Sequence, residues 1–504
     1  MDLADVIEGA EVQRVTGPAH TSIRGIVCDS RKATAGSLFF ALPGAKADGM
    51  VFAGEAISRG AIGVASPHPR PAGIASSVAW VELAPGKERR GLANASANFY
   101  GKPAAALKLI GVTGTNGKTT TSYLVNSVLQ AAGFTTGLVG TTGYRSPKGD
   151  REAPNTTPES LDLQQFFAEI RDAGGTHAVL EASSHALAMD RLWGCHFAVA
   201  TFTNLTRDHL DYHKTFENYF AAKQRLFEGT AGASAPDTAV LNADDPYAAR
   251  LEGLAGRTLT YGLKGAPDML AKKPTMSLGG LEFTAQTPAG NIAVRSKLVG
   301  RVNVYNILAA IGAGVALGIP LGAIESGIAD VGQVPGRFEK IDEGQPFLVV
   351  VDYAHTDDAL RNLIGMAREL SGSGRIVTLF GAGGERDRTK RPLMGEAAGA
   401  LSDLVVLTSD NPRGEDPLRI INDVVVGLQK ANAKYRIEPD REKAITIALE
   451  EAQSGDIVLL AGKGHETYQV LQDRTIEFDD REKARAILRR IVGRHDAVDS
   501  RSNR

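Results

Sequence analysis

Cysteine is close to absent. Of 504 residues only Cys28 and Cys195 are cysteine, and both stand beside apolar segments. A disulfide framework therefore has little to build on, and reduced cytosolic thiols are expected. Aromatic residues are also scarce, at 6%, with only 2 tryptophans. No apolar run approaches the roughly 20 residues that a membrane-spanning helix needs. The opening MDLADVIEGAEVQRV is acidic and has no apolar centre, so no signal peptide is expected and a cytoplasmic location is. Excess charge of one sign is missing too. A formal net charge of -2 gives no bulk attraction to nucleic acid or to a membrane surface. No internal repeat is visible. The chain that remains is 43% hydrophobic and 23% charged, the balance of a globular protein, and its length calls for two to four domains. Its 56 glycines gather after apolar runs, where turns approach ligands.

Three blocks follow from the punctuation. Residues 1–100 mix short apolar runs such as GSLFFALPG and GAIGVAS with turns, and read as a small α/β domain. Residues 101–334 open with a strand, a glycine loop and a helix, LKLIGVTGTNGKTTTSYLVNSVLQAAG. They continue with apolar strands (THAVLEASS, FAVATFTNL, TAVLNADDP) between helical patterns, the rhythm of a parallel sheet with helical crossovers. Pro335 and Gly336 break the chain, and residues 335–504 restart the pattern with FLVVVDYAH, RIVTLFGAGG, DLVVLTSDNP and DIVLLAGKGHE. Each of these strands ends in a polar or glycine loop, the end at which open α/β sheets bind ligands. The polar tail RHDAVDSRSNR is expected to fray.

GVTGTNGKTTT is the most informative stretch. Gly114 and Gly117 let the backbone turn tightly, and Thr115, Asn116 and Thr120 complete the loop and first helical turn. The new helix adds its positive end to the inward N–H groups. Lys118 is placed to meet β- and γ-phosphates and Thr119 to ligate Mg²⁺, although Val112 stands where the strict phosphate-loop pattern has glycine. Glu181 directly follows an apolar strand and is either a Mg²⁺ ligand or a charge at a helix start. In HKTFENYFAAKQRLFEG, Lys223 falls on the helical face of Phe216, Phe220 and Phe227. An ammonium there is costly unless it snorkels, is paired, or is converted with CO₂ to a carbamate that could ligand Mg²⁺. His209, in the polar turn NLTRDHLDYH, could ligate the same metal. In LTSDNPRGEDP, Arg413 lies in a turn past a buried strand and could meet a carboxylate, a phosphate or a surface partner.

The segments GTNGKTT, NTTPES, EASSHALAMDRL, NLTRDHLDYH, YFAAKQRLF, LNADDP, LVGRVNVYNILAA, VPGRFE, DYAH, GAGGERDRTKRP, DNPR and GKGHE occur in this order. Together they resemble the Mur ligases, closest to those that add a diamino acid, over about residues 25–490. The resemblance implies an α/β chain of three domains: an N-terminal UDP-binding domain, a central ATPase with a phosphate loop and parallel sheet, and a C-terminal Rossmann-like domain. It implies ATP-dependent ligation of meso-diaminopimelate to the D-Glu of UDP-N-acetylmuramoyl-L-Ala-D-Glu through an acyl phosphate, by a monomer that binds no nucleic acid. Lys118, Arg337 and two Mg²⁺ ions would offset the repulsion between carboxylate and ATP. Thr119 and Glu181 would hold one ion, and His209 with a CO₂-derived carbamate on Lys223 the other. Asn303 and Asn306, with Asn242 or its neighbours, would hold the adenine side, and Asp352 and His355 would meet the nucleotide across the cleft. Ser30 would touch the uracil or diphosphate. Asn155, Thr156, Thr157, Ser183 and Arg191 would grip the muramoyl peptide.

On this reading Arg413 acquires a particular anion. Lysine and diaminopimelate share a reacting end, but only diaminopimelate carries a far carboxylate, which a planar guanidinium can take bidentately. Arg386 would assist. Asp410 and Asn411, with Glu466 of the loop opened by Gly462, would accept from the far ammonium, and Pro412 would stiffen the turn. Relatives that add lysine lack the arginine. Met189 replaces a common glutamine, and Asp357 replaces a proline, which is expected to loosen a helix start. At residues 45–47, AKA leaves a main-chain contact to uracil. The alternatives are the L-lysine-adding sibling, a D-Ala-D-Ala-adding sibling, a folylpolyglutamate synthetase, a phosphate-loop NTPase switch, and a dinucleotide oxidoreductase reading GAGGERD.

Overall fold

The computed structural model describes residues 1–18, 20–44, 47–230 and 232–502. Residues 45 and 46 of the expected main-chain uracil contact lie outside them. Three α/β units follow one another along the chain, each a sheet with helices against it. Residues 12–83 form a five-stranded sheet, parallel except for its edge strand Val12–Thr16, which pairs antiparallel with Ala79–Leu83.

The central sheet has eleven strands. Its middle is parallel, in the spatial order Arg257–Gly262, Thr238–Asn242, Val199–Phe202, Lys108–Thr113, His177–Glu181, Thr136–Gly140. Alternate side chains of these strands face opposite layers. Ile110, Val179 and Val240 pack on helices Lys118–Ala131 and Arg301–Ala316. Leu109, Leu180 and Leu241 pack on Ser160–Asp172 and Phe216–Glu228. Met269–Ser277 joins Arg257–Gly262 in parallel, Gly280–Thr287 and Gly290–Ser296 continue from it as an antiparallel meander, and Gly143–Ser146 and Gly149–Arg151 extend the other edge antiparallel. The parallel sheet expected forms the middle, and the extension adds to it. Leu281, Phe283 and Ala285 alternate with exposed residues, as in a sheet wetted on one face.

The third sheet has six strands, in the order Glu339–Ile341, Leu348–Asp352, Ile457–Ala461, Ile376–Phe380, Leu404–Leu407, Tyr435–Ile437, and only the first pair is antiparallel. The four apolar runs singled out in this region are four of its strands. Helix Asp480–Ser502 runs into the tail that was expected to fray, and residues 503 and 504 lie outside the described residues. One expectation is corrected. Asp357 does not loosen its helix, because Thr356 at the N-cap accepts from Ala359 N–H and the acidic first turn suits the positive helix end. Both cysteines are free, and no helix among the described residues is long and apolar enough to cross a membrane.

Candidate active site

Parallel strands place their C-terminal ends on one rim, and most of the expected residues collect there. The strand Lys108–Thr113 runs into the glycine loop and the helix from Lys118. Gly114 and Gly117 both have positive φ, +144° and +89°. A Cβ on Gly114 would come within 1.9 Å of Thr203 Oγ1, and one on Gly117 within 2.4 Å of Asn306 Oδ1. Asn204 fixes the loop from outside, its main-chain oxygen accepting from Thr115 N–H and its side-chain oxygen from Asn116 N–H, both at 2.9 Å.

Two lysines converge on one acceptor. Lys118 Nζ donates to the Gly114 carbonyl at 3.0 Å and to that of Thr115 at 2.8 Å, while Lys223 Nζ donates to Gly114 at 2.7 Å. Lys223 is 1% exposed and lies over the Tyr219 ring, and no carboxylate lies within ion-pairing distance of it among the described residues. Burial, and then the Lys118 charge, push its amine well below the ordinary lysine range. Snorkelling is thereby ruled out for this side chain. Glu181 sits at its strand end, accepting from Thr141 N–H at 2.9 Å and from the Thr141 hydroxyl at 3.0 Å. Thr119 Oγ1 accepts from Arg337 Nη2 at 3.1 Å, which brings the arginine beyond the chain break onto the phosphate loop.

His209 has a positive φ of 54°, and its ring stands edge-on to His185. Burial holds its imidazole down at about 3. Asp208 lies 3.4 Å from His209 Nε2 and 3.9 Å from His355 Nε2. Burial pulls its carboxyl up, but the cationic surroundings of His209, His355 and Lys390 outweigh it and hold the group below its usual range. Among the described residues no three His, Cys, Asp or Glu side chains gather closely enough to hold a metal by themselves.

These groups line a cavity of about 410 Å³ that contains Thr115 to Thr120, Glu181, His209, Lys223, Asn303, Asn306, Arg337, Asp352 and His355. Gly114 precedes the lining residues, and its carbonyl accepts from both lysines. Asn303 and Asn306 are partly spent on each other: Asn306 Nδ2 donates to Asn303 Oδ1 at 2.9 Å. Asn242 donates to Thr203 O and accepts from Asp244 N–H. Asp352 accepts from Phe338 N–H and Ala354 N–H, and burial raises its carboxyl. Asp358, which sequence reasoning missed, accepts from Asn116 Nδ2 at 2.8 Å and Thr206 Oγ1 at 3.1 Å, tying the third unit to the phosphate loop.

A second cavity of about 790 Å³ adjoins the first and shares Thr156, Ser183, Asp208, His209 and His355 with it. Asn155, Thr157, Arg191 and Met189 line one side. Arg386, Asp410, Asn411, Arg413, Gly462 and Glu466 line the other. Arg413 Nη1 donates to Gly384 O at 2.8 Å, and burial, then Arg386, depress its guanidinium. Glu466 Oε2 accepts from Asn411 Nδ2 and from Lys463 Nζ, both at 3.0 Å. Asp410 Oδ1 is buried without a hydrogen bond, 3.7 Å from Lys463 Nζ. Asn411 Oδ1 already accepts from Val470 N–H at 2.9 Å, so this residue holds Glu466 and the loop. Pro412 does not line the cavity. It packs on Gly384, where a Cβ would meet its carbonyl at 1.9 Å. Ser30 reaches neither cavity, and its hydroxyl donates to Glu55 at 2.7 Å. The helix that follows Asn155, Thr156 and Thr157 has Glu159 at its N-cap.

Sequence reasoning also missed Asp208, Lys390 and Lys463. Each stood inside a quoted segment, within four residues of one that drew attention first.

Sheets, loop and clefts define a class: a nucleotide-using enzyme whose phosphate loop faces a cation-lined acceptor cavity. Models of three Mur ligase units match the chain: the Mur ligase family, catalytic domain over residues 22–88, the Mur ligase middle domain over 112–314, and the Mur ligase, glutamate ligase domain over 336–464. A relative from Solibacter usitatus, named UDP-N-acetylmuramoyl-L-alanyl-D-glutamate--2,6-diaminopimelate ligase, is 52% identical over 97% of this chain and 98% of its own. A solved structure of a ligase of that name is 36% identical, covers 94% of this chain and 95% of its own, and superposes with a TM-score of 0.63. A MurF ligase from Thermotoga maritima, solved with ADP, shares the fold at 22% identity and a TM-score of 0.61, covering 88% of this chain and 94% of its own. The chain belongs to the Mur ligase family, whose members are ATP-dependent, amide-forming ligases.

One prediction arises directly from the loop. Gly114→Ala forces its methyl group into Thr203, so ADP affinity should fall at least about tenfold. Calorimetric titration of a variant that melts like the parent measures this. Unchanged affinity would remove the loop from phosphate binding.

Proposed function

We propose that this chain joins meso-diaminopimelate to the D-Glu γ-carboxylate of UDP-N-acetylmuramoyl-L-Ala-D-Glu, using ATP. The observation that carries the reading is the second cavity, where Arg413 and Arg386 stand together. Two adjacent guanidinium groups repel unless an anion lies between them, and the far carboxylate of diaminopimelate is such an anion. The names of the relatives agree. Residues 1–100 would bind the UDP end, 101–334 ATP, and 335–504 the amino acid, in a cytoplasmic monomer.

The carboxylate oxygen attacks the γ-phosphorus of ATP, ADP leaves, and an acyl phosphate forms. The incoming amine attacks the acyl carbon, phosphate leaves, and a proton is lost from nitrogen. Lys118 and Arg337 offset the negative charge that gathers between the two anions. Arg191, Asn155, Thr156, Thr157 and Ser183 would hold the peptide that carries the carboxylate. Thr119 and Glu181 would bind one Mg²⁺, and His209 and a carbamate on Lys223 a second. Bound there, the ions would neutralise phosphate charge. The donor set fits only if Lys223 becomes an anion. Its buried amine, held toward the neutral form, can attack CO₂: an N–C bond forms, one N–H proton leaves, and a carbamate remains.

Phosphate release tests the reading. It should require both UDP-N-acetylmuramoyl-L-Ala-D-Glu and a diamino acid, with kcat/KM for meso-diaminopimelate exceeding that for lysine by at least about 10²-fold. Equal rates with lysine would favour the lysine-adding sibling. Release without either substrate would favour an NTPase switch.

A further inference from the structure

Two loops supply the diamino acid side of the second cavity. Residues 410–413 follow the strand Leu404–Leu407, and residues 462–466 follow Ile457–Ala461. These strands are not neighbours, since Ile376–Phe380 runs between them and pairs with both. No ladder hydrogen bond therefore sets the distance between the two loop roots. A single side chain spans it. Arg441, the first residue of helix Arg441–Glu450, donates through Nη1 to Ser409 O at 3.1 Å and through Nη2 to Ala461 O at 3.0 Å. Ser409 immediately precedes Asp410, and Ala461 immediately precedes Gly462. The same guanidinium donates to both oxygens of Asp480, from Nε at 2.8 Å and from Nη2 at 2.6 Å. Both side chains are 0% exposed. Gly381, just past the intervening strand, leaves room for this closure. A Cβ there would come within 2.6 Å of Thr408 O and 2.7 Å of Asp410 N.

We propose that Arg441, held by Asp480, is a positioning residue of the diamino acid site, setting the spacing of the two loops that grip the far end of the ligand. The inference rests on the function proposed above. A buried ion pair is a poor source of stability, because desolvation of two charges offsets their attraction and an apolar pair of equal volume serves as well. An apolar pair cannot donate to two main-chain carbonyls in fixed directions, and a planar guanidinium can. Above the fork, the loops meet through Asn411, Glu466 and Lys463, so a change in root spacing shifts Asp410 and Glu466 relative to Arg413. None of these contacts reaches the phosphate loop.

Arg441→Lys keeps the charge but concentrates its donors at one point. Steady-state kinetics should show the KM for diaminopimelate raised at least about tenfold, as when one charge-assisted hydrogen bond is lost. The KM values for ATP and the UDP-linked dipeptide should stay within about twofold, and the preference for diaminopimelate over lysine should narrow. A merely structural role would lower melting temperature and kcat for every substrate and leave the KM pattern unmoved. That outcome overturns the proposal. If Arg441→Lys does not fold, Asp480→Asn carries the test, because it leaves Arg441 in place with one acceptor. The same split is expected at about threefold, and a folded variant with unchanged KM values overturns the proposal. Loss of fold in both variants also overturns it, since the pair would then serve the fold and not the spacing. Parent enzyme that releases no phosphate in response to diaminopimelate removes the proposed function, whereas an active parent with unaffected variants removes only the role of Arg441.

Discussion

Lys223→Ala is expected to lower kcat by about 10²–10³-fold, the loss typical of removing one electrostatic stabiliser. Short carboxylates such as acetate should restore part of the activity. The expectation begins with burial. Lys223 lies on the apolar face of helix Phe216–Glu228, is 1% exposed, and shares the Gly114 carbonyl with Lys118. Two ammonium groups on one carbonyl oxygen, with no carboxylate to pair with Lys223, is an unfavourable arrangement. Holding the Lys223 amine neutral relieves it, and a neutral amine reacts with CO₂. The resulting anion would face Lys118 and reverse the repulsion between the two side chains. It would also add the oxygen donors that His209 and Glu181 alone do not provide. An alanine cannot carry that anion, but it leaves space in which a small carboxylate can stand. Melting temperature should fall modestly, because the truncation leaves a cavity and removes a donor from the Gly114 carbonyl, so the rates are compared on a variant shown to be folded. Full activity in the alanine variant would end the metal-bridging role. Rescue by neutral amides as well as by carboxylates would show that volume and not charge was lost. Intact-protein mass spectra of the parent under CO₂ should gain the mass of one carbamate, and the alanine variant should not.

Lys223 was legible in the sequence because helical spacing is local. Three phenylalanines on one face expose an anomalous cation without any knowledge of the fold. The glycine loop was legible for the same reason, since strand, turn, lysine, threonine and helix are contiguous. The four strands of the third sheet could be read from apolar runs that end in polar loops. The contacts that organise the cleft are different in kind. Asp208 with His355, Asn116 with Asp358, and Arg441 with Ser409 and Ala461 join residues far apart in the chain. An arginine at the start of a helix reads as surface charge until the fold closes over it. Ser30 is similar: its turn did not show that its hydroxyl donates to Glu55, on another element. The meander at residues 269–296 did carry the alternation of a wetted sheet, and that signal was passed over in favour of the stronger parallel pattern around it.

Arg413→Ala should raise the KM for diaminopimelate by about 10²-fold, the equivalent of a lost bidentate charge-assisted pair. The KM for ATP should stay within about twofold, because the phosphate loop lines the other cavity and makes no contact with Arg413. The geometry makes the arginine available for such a pair. Its φ is 52°, Nη1 is held by Gly384 O and Asn411 O, and the remaining N–H groups have no acceptor among the described residues, which leaves them for the cavity that Arg413 lines. Burial and the neighbouring Arg386 both disfavour its charge, so an entering carboxylate gains more there than at an exposed arginine. Arg413→Lys should recover little of the loss, since an ammonium cannot match both oxygens from that backbone position. Lysine as substrate provides the complementary control. It lacks the far carboxylate, so its poor kcat/KM should change little in Arg413→Ala, and the preference between the two amino acids should collapse mainly through the loss for diaminopimelate. An unchanged KM for diaminopimelate would remove Arg413 from the site. A parallel loss for lysine would mean that the residue holds the loop and does not read the ligand.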